Sequence, residues 1–201
     1  MKKTICALFI IFLLRTQAFA KSDKPNFIIF IADDVSWNDF SCTGNPDVKT
    51  PHIDMLAENG VTFTNTYLTA SSCSPSRNSL LTGRYPHNTG ACELHTEPPD
   101  DMLSFPAVLH EEGYFCAFSG KFHSHNFARP AFDVLSIEYE EIGNSGSDTW
   151  VEVTRNRPPD KPFFMWFAAL DAHRDWGENR FSGTHHPDSI TVPLYLADAE
   201  G

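Results

Sequence analysis

The sequence predicts an α/β domain built on a mostly parallel sheet. Three observations carry that expectation. Residues 26–32 (NFIIFIA) and 162–170 (PFFMWFAAL) are continuous apolar runs, the composition of strands buried on both faces. Strand-like and helix-like segments alternate along the chain. Polar residues recur just after strands: Asp33-Asp34, Lys121 with His123, and Asp171 with His173. In open α/β sheets the crevice beyond the carboxyl ends of the strands binds ligands, so these distant residues are grouped into one expected site.

Residues 1–20 stand apart. Lys2 and Lys3 precede an apolar run over 5–14, and Ala18-Phe19-Ala20 offers a small-x-small cleavage site before Lys21. This reads as a secretory signal peptide, and the protein is expected to be secreted or periplasmic. Arg15 shortens a run already too short to span a bilayer comfortably, so no stable membrane insertion is expected after cleavage. Cleavage removes three cations and no acid, taking the formal charge from −11 to −14. A chain this acidic is a poor nucleic-acid binder, and an anionic ligand would have to be held by local cations. Four cysteines remain after cleavage: Cys42, Cys73, Cys92 and Cys116. An extracytoplasmic setting permits disulfides, but the spacing does not pair them.

The elements follow in order. Residues 26–32 form the first strand. Thr50 caps a helix with Pro51 at its first position, and Gly60 ends it. Residues 61–67 alternate apolar residues with threonines and read as a second strand. A helix over 74–82 closes at Gly83, and another over 103–112 stops before Gly113. Residues 114–119 read as a short strand ending in Gly120-Lys121, and 124–148 as polar and irregular. Residues 150–156 read as helical, Pro158-Pro159 turn the chain, and 162–170 form the last strand.

The sharpest chemical signal is Cys73-Ser74-Pro75-Ser76-Arg77, followed by Leu80, Thr82, Gly83 and Arg84. Cys73 opens a helix, where free N–H groups and the dipole favour negative charge. Arg77 lies one turn on, on the same face, where a guanidinium can hold a tetrahedral oxyanion at two points. An inert buried cysteine is the bland alternative. Asp33-Asp34 are adjacent carboxylates after a buried strand. They need a neutralising partner, for which a hard divalent cation is suited, unless they are an ordinary acidic loop.

The cysteine segment resembles the signature of the sulfatase family, within the alkaline-phosphatase-like superfamily. The resemblance covers most of residues 25–201. It implies that Cys73 is converted to formylglycine by a formylglycine-generating maturase, and that the hydrated aldehyde attacks sulfur. It implies calcium held by Asp33, Asp34 and the converted Cys73. Gly120-Lys121-Phe122-His123 resembles the family's Gly-Lys-x-His segment. There Lys121 would neutralise sulfate oxygens and His123 would take a proton from the converted residue. Asp171-Ala172-His173-Arg174 matches the place of a family Pro-His-x-Pro segment with alanine in place of the first proline. His173 would touch sulfate and protonate the leaving group, and Asp171 either orients it or caps a turn.

Leu94-His95, the His173-Arg174 segment and residues 190–197 (ITVPLYLA) resemble the heparan N-sulfatase (sulfamidase) group, which points to a sulfated sugar. His87 and His95 either line a substrate pocket or are structural, while His125, His185 and His186 read as outside the core set. Family members are longer and carry a later Asp-Asn or Asp-His pair, and no aspartate after His173 is followed by either residue. The chain is therefore expected to be the N-terminal part of a catalytic domain, with an incomplete metal shell and an open sheet edge. The competing expectations are a phosphonate or phosphate ester hydrolase of the same superfamily, and an inactive fragment derived from a sulfatase.

Overall fold

The computed structural model describes residues 24–123, 126–136, 146–173 and 186–192. The expected signal peptide, His125, Arg174, His185 and residues 193–197 lie outside the described residues.

Among these residues four strands form one sheet: β1 (Phe27–Ala32), β2 (Phe115–Gly120), β3 (Val134–Ser136) and β4 (Phe163–Ala169). Their order is β1-β4-β2-β3, and every pairing is parallel. Among the described residues four α-helices accompany them: α1 (Pro51–Asn59), α2 (Cys73–Thr82), α3 (Phe105–Glu111) and α4 (Trp150–Asn156). The apolar runs were read correctly as strands because β-branched and aromatic residues suit a pleated surface covered by helices.

The central strands β2 and β4 separate two apolar layers. On one face Phe118, Phe164 and Trp166 pack with Leu81 of α2 and with Phe105 and Leu109 of α3. On the other, Ala117, Met165 and Phe167 meet Trp150 and Val153 of α4. Trp150 and Phe167 stack with ring centroids 5.2 Å apart. Helices on both faces make this a three-layer α/β arrangement. Because all strands run the same way, Ala32, Gly120 and Ala169 end on one side of the sheet. The residues that follow them, Asp33, Lys121 and the 171–173 turn, are delivered to that side.

Several expectations are corrected. Residues 61–67 are irregular and not a strand; Val61, Phe63 and Tyr67 are exposed. Alternation gives a segment strand-like faces, but a strand also needs a ladder partner for its backbone groups, and no described strand supplies one. The first strand is not buried on both faces. Among the described residues β1 pairs only with β4, and Phe27, Ile28 and Phe30 are exposed. The stretch read as irregular over 124–148 contains a 3-10 segment, Asn126–Ala131, and the short strand β3. Three residues are too few for a periodic signal; β3 exists because β2 offers it an edge. Thr50 does stand at the start of α1, but its side chain makes no capping bond to the helix backbone. Its hydroxyl donates instead to Asp54 Oδ1, which Ser41 also reaches.

Candidate active site

The turn after β1 and the first residues of α2 meet at the end of β2. Asp33 is the centre of this meeting. Arg77 Nη2 donates to Asp33 Oδ1 at 3.1 Å, and Lys121 Nζ donates to Asp33 Oδ2. Arg77 Nη1 donates to the carbonyl of Lys121 at 2.9 Å. Lys121 Nζ also reaches Cys73 Sγ at 3.4 Å. Asp33, Arg77 and Lys121 are all buried, at 6%, 3% and 3% exposure. Three buried charges are tolerated only because each faces an opposite charge or a dipole.

Burial alone would push the Asp33 carboxyl up. The hydrogen bond and charge of Lys121, followed by those of Arg77, outweigh it and hold the group below the ordinary carboxylate value. The cluster has two cations to one anion, so excess positive charge lies beside residue 73. That residue is the first of α2, a ten-residue helix, and is partly exposed.

The structure adds to the expected site in two respects. Besides the expected metal, Asp33 has two cationic partners that the sequence did not pair with it, Arg77 and Lys121. The Arg77 fork was expected to face a ligand oxyanion, but two of its nitrogens are spent on Asp33 and on the Lys121 carbonyl. A guanidinium at the i+4 position shares a face with Cys73, but only the packed neighbours decide what its fork meets.

The remaining candidates lie around this core. Asp34 has a left-handed backbone (φ 53°) and a half-exposed carboxylate, with Oδ2 3.9 Å from His173 Nε2. One donor atom each of Asp33, Cys73 and His173 fall within 4.8 Å of one another. His123, two residues past Lys121, has Nε2 3.0 Å from His95 Nδ1. The sequence offered two readings of His95 but nothing to pair it with a residue 28 positions on. His87 stacks on Tyr85 instead, at 5.9 Å between ring centroids. His186 is exposed and lies 3.4 Å from Asp188 Oδ2.

A family model described as Sulfatase matches residues 25–190. The chain belongs to the sulfatase family. It is 40% identical over 186 residues to an ulvan-active sulfatase of Formosa agariphila, covering 89% of this chain and 35% of that protein. It is 28% identical over 178 residues to an N-acetylglucosamine-6-O-sulfatase of Bacteroides thetaiotaomicron, covering 78% of this chain and 32% of that one. A protein solved in complex with its substrate D-glucosamine-2-N,6-O-disulfate superposes with a TM-score of 0.69 at 26% identity, over 77% of this chain and 36% of that one. The chain spans about a third of the length of the curated relatives it matches. The parallel sheet with its flanking helices is the alkaline-phosphatase-like fold of these sulfatases.

The cysteines of this sulfatase chain differ sharply in setting. Among the described residues Cys42 and Cys92 are exposed, Cys73 is partly buried, and Cys116 is buried in the core; these four are free thiols. Burial, with a smaller contribution from the Asp133 charge, pushes the Cys116 thiol up to about 12. Alkylation of the native protein near pH 8 is expected to modify Cys42 and Cys92 and to spare Cys116 until denaturant is added. Peptide mass spectrometry reads this directly; early labelling at Cys116 would show that the strand β2 opens in the native state.

Proposed function

We propose that this chain carries the nucleophile and first cation cluster of a sulfatase that hydrolyses a sulfate ester or N-sulfate on a sulfated sugar. Residue 73, matured from cysteine to formylglycine, is the nucleophile in this reading. The observation that carries it is the contact of Lys121 Nζ with Cys73 Sγ at 3.4 Å, on a lysine pinned by Asp33. Support for a sugar substrate comes from the relatives: ulvan and N-acetylglucosamine-6-O-sulfate name two of them, and glucosamine disulfate occupies a third. The N-sulfatase subgroup is the narrower form of the same proposal. An extracytoplasmic location and an encounter with a formylglycine-generating maturase go with it.

The donor set fits a hard divalent cation. Asp33 is ionised, and each of its oxygens keeps a lone pair beyond the one given to Arg77 or Lys121. Asp34 adds a second carboxylate next to it. Asp33 and Asp34, with an oxygen on residue 73, would hold calcium, which when bound supplies Lewis acidity at the nucleophile and at a substrate oxygen. Formylglycine supplies the hydrated aldehyde whose hydroxyl attacks sulfur.

The chain's own residues do the rest. Lys121 presents its ammonium to an anionic oxygen lying against residue 73, a local cation in a chain of formal charge −11. Arg77 acts at one remove: by bonding both Asp33 and the Lys121 carbonyl it fixes the lysine at the end of β2. His123 accepts a proton on the nucleophile side. His173, beside Asp34, gives one to the leaving group.

The test is peptide mass spectrometry on residue 73 after co-expression with a formylglycine-generating system, paired with turnover of aryl sulfate and aryl phosphate. The expected result is an aldehyde at residue 73 and preference for the sulfate. A persistent thiol under those conditions overturns the mechanism, and preference for the phosphate overturns the substrate class.

A further inference from the structure

Two histidines beside the cation cluster share an arrangement that neither the signature motif nor the sulfatase assignment explains. His95 sits in the Glu93–Thr96 turn, closed by Thr96 N donating to the Glu93 carbonyl at 3.2 Å and by Thr96 Oγ1 donating to it at 2.6 Å. Its own backbone N–H donates at 3.0 Å to Oγ of Ser74, the fully buried residue that follows Cys73 in α2. The turn is thus tied to the helix that presents the nucleophile. From it the His95 ring reaches across to His123, with Nδ1 3.0 Å from Nε2 and ring centroids 4.9 Å apart. Both residues have left-handed backbones, φ 65° and 42°. For a side chain other than glycine that conformation is uncommon and costs energy. Two such residues facing each other across a hydrogen bond mark a geometry that the surrounding structure enforces.

From this we infer that His95 is a positioning residue for His123, fixing its ring orientation and its tautomer. The inference rests on the proposed role of His123 as a proton acceptor. A neutral imidazole has one N–H and one lone pair, and which nitrogen carries the proton is set by the partner of the other. Free imidazole side chains favour the proton on Nε2. With both rings in that form, His95 Nδ1 is a bare acceptor and His123 Nε2–H donates to it. His123 Nδ1 then carries the lone pair. That atom is buried from solvent, on the side of the ring away from His95. A base whose far nitrogen is held by a second group, and whose near nitrogen is thereby kept unprotonated, follows the logic by which a carboxylate orients the histidine of a hydrolase triad. Here a second imidazole takes the place of the carboxylate. It adds no charge beside a cluster that already holds one anion, Asp33, and two cations, Arg77 and Lys121.

Two substitutions separate this role from a purely architectural one. Glycine and asparagine both tolerate the positive φ at position 95, so neither should disturb the turn. His95→Gly removes the acceptor. His95→Asn puts a carbonyl oxygen close to the place of Nδ1. The first readout is the 15N spectrum of the ring nitrogens of His123, read on the neutral side chain. In the parent protein Nε2 is expected to be protonated and Nδ1 bare. His95→Gly should move both resonances toward the averaged values of a tautomer mixture, and His95→Asn should restore the parental pattern. The second readout is kinetic: a fall in kcat on the order of tenfold with KM nearly unchanged for His95→Gly, recovered in His95→Asn. Protonation of His123 on Nδ1 in the parent, or a spectrum unmoved by His95→Gly, overturns the inference. The spectrum is read whether or not the protein turns over a sulfate, so failure here and failure of the hydrolase reading are separate results.

Discussion

Replacing Asp33 with asparagine is expected to destabilise the protein by about 3–5 kcal/mol, the usual cost of removing one member of a buried charge cluster. The side chain accepts from Arg77 on one oxygen and from Lys121 on the other, and all three groups are nearly solvent-free. An amide offers only one acceptor and turns an NH2 toward the second cation. Lys121 and Arg77 then stay buried and charged with the anion between them gone and one acceptor oxygen left. The drop in melting temperature should be on the order of 10 °C, and the lysine, no longer held beside residue 73, should lose its catalytic position as well. The pH dependence follows from the same cluster. The carboxyl of Asp33 is lowered relative to its unfolded value. Its contribution is therefore complete above the ordinary carboxylate range and is lost as pH falls through the folded value. Melting curves collected from neutral to acid pH should show the parent losing more stability in that window than Asp33→Asn does. Equal slopes for the two proteins would mean that Asp33 is not held ionised by its neighbours.

The second large effect is expected at Gly120, the last residue of β2. Its φ is +99°, and a Cβ there would lie 1.9 Å from the carbonyl oxygen of Ala168 in β4. That oxygen is also the acceptor for the Lys121 N–H at 2.9 Å. Alanine at 120 must either force the backbone out of the left-handed region or push β4 away. Either movement breaks the bond that sets Lys121 and disturbs the parallel pair at the centre of the sheet. A loss on the order of 4 kcal/mol or more is expected, in the range reserved for such backbone conflicts. Gly113→Ala is the proper contrast. Its φ is also positive, at +85°, but nothing lies within 4 Å of its added Cβ. It should lose only the backbone strain, about 1–2 kcal/mol. Denaturant titration of the two variants measures the difference. Similar midpoints for both would show that close approach to Ala168 does not matter.

Much of the fold was legible because its elements announce themselves locally. The 162–170 run, the proline that opens α1 and the glycine that ends α2 each carry a short-range physical signal, and the observed bounds fall within one or two residues of the expected ones. Residues 61–67 misled for the opposite reason. They have the alternation of a strand, but pairing depends on a partner elsewhere in the chain, and among the described residues none is beside them. β3 was missed because three residues are stabilised by the edge of β2 and not by their own composition. The candidate site was legible as a set of residue types placed after strands. The direction in which each side chain is used was not. Arg77 and Lys121 read as ligand-facing cations, and both turn first to Asp33.

The amino-acid sequence by itself determined the chemistry available to this protein: a cysteine at a helix start, an arginine one turn later, paired carboxylates after a strand, and a lysine and histidine after another. These depend on side-chain identity and on spacing within single elements. Tertiary structure alone decided who faces whom. Parallel strands carry residues 33 and 121 to the same end of the sheet although 88 positions separate them. The Glu93–Thr96 turn brings His95 to His123 through an anchor on Ser74. The physical reason is that charge compensation and hydrogen bonding act over a few ångströms of space, and only the packed fold converts distance along the chain into distance between atoms.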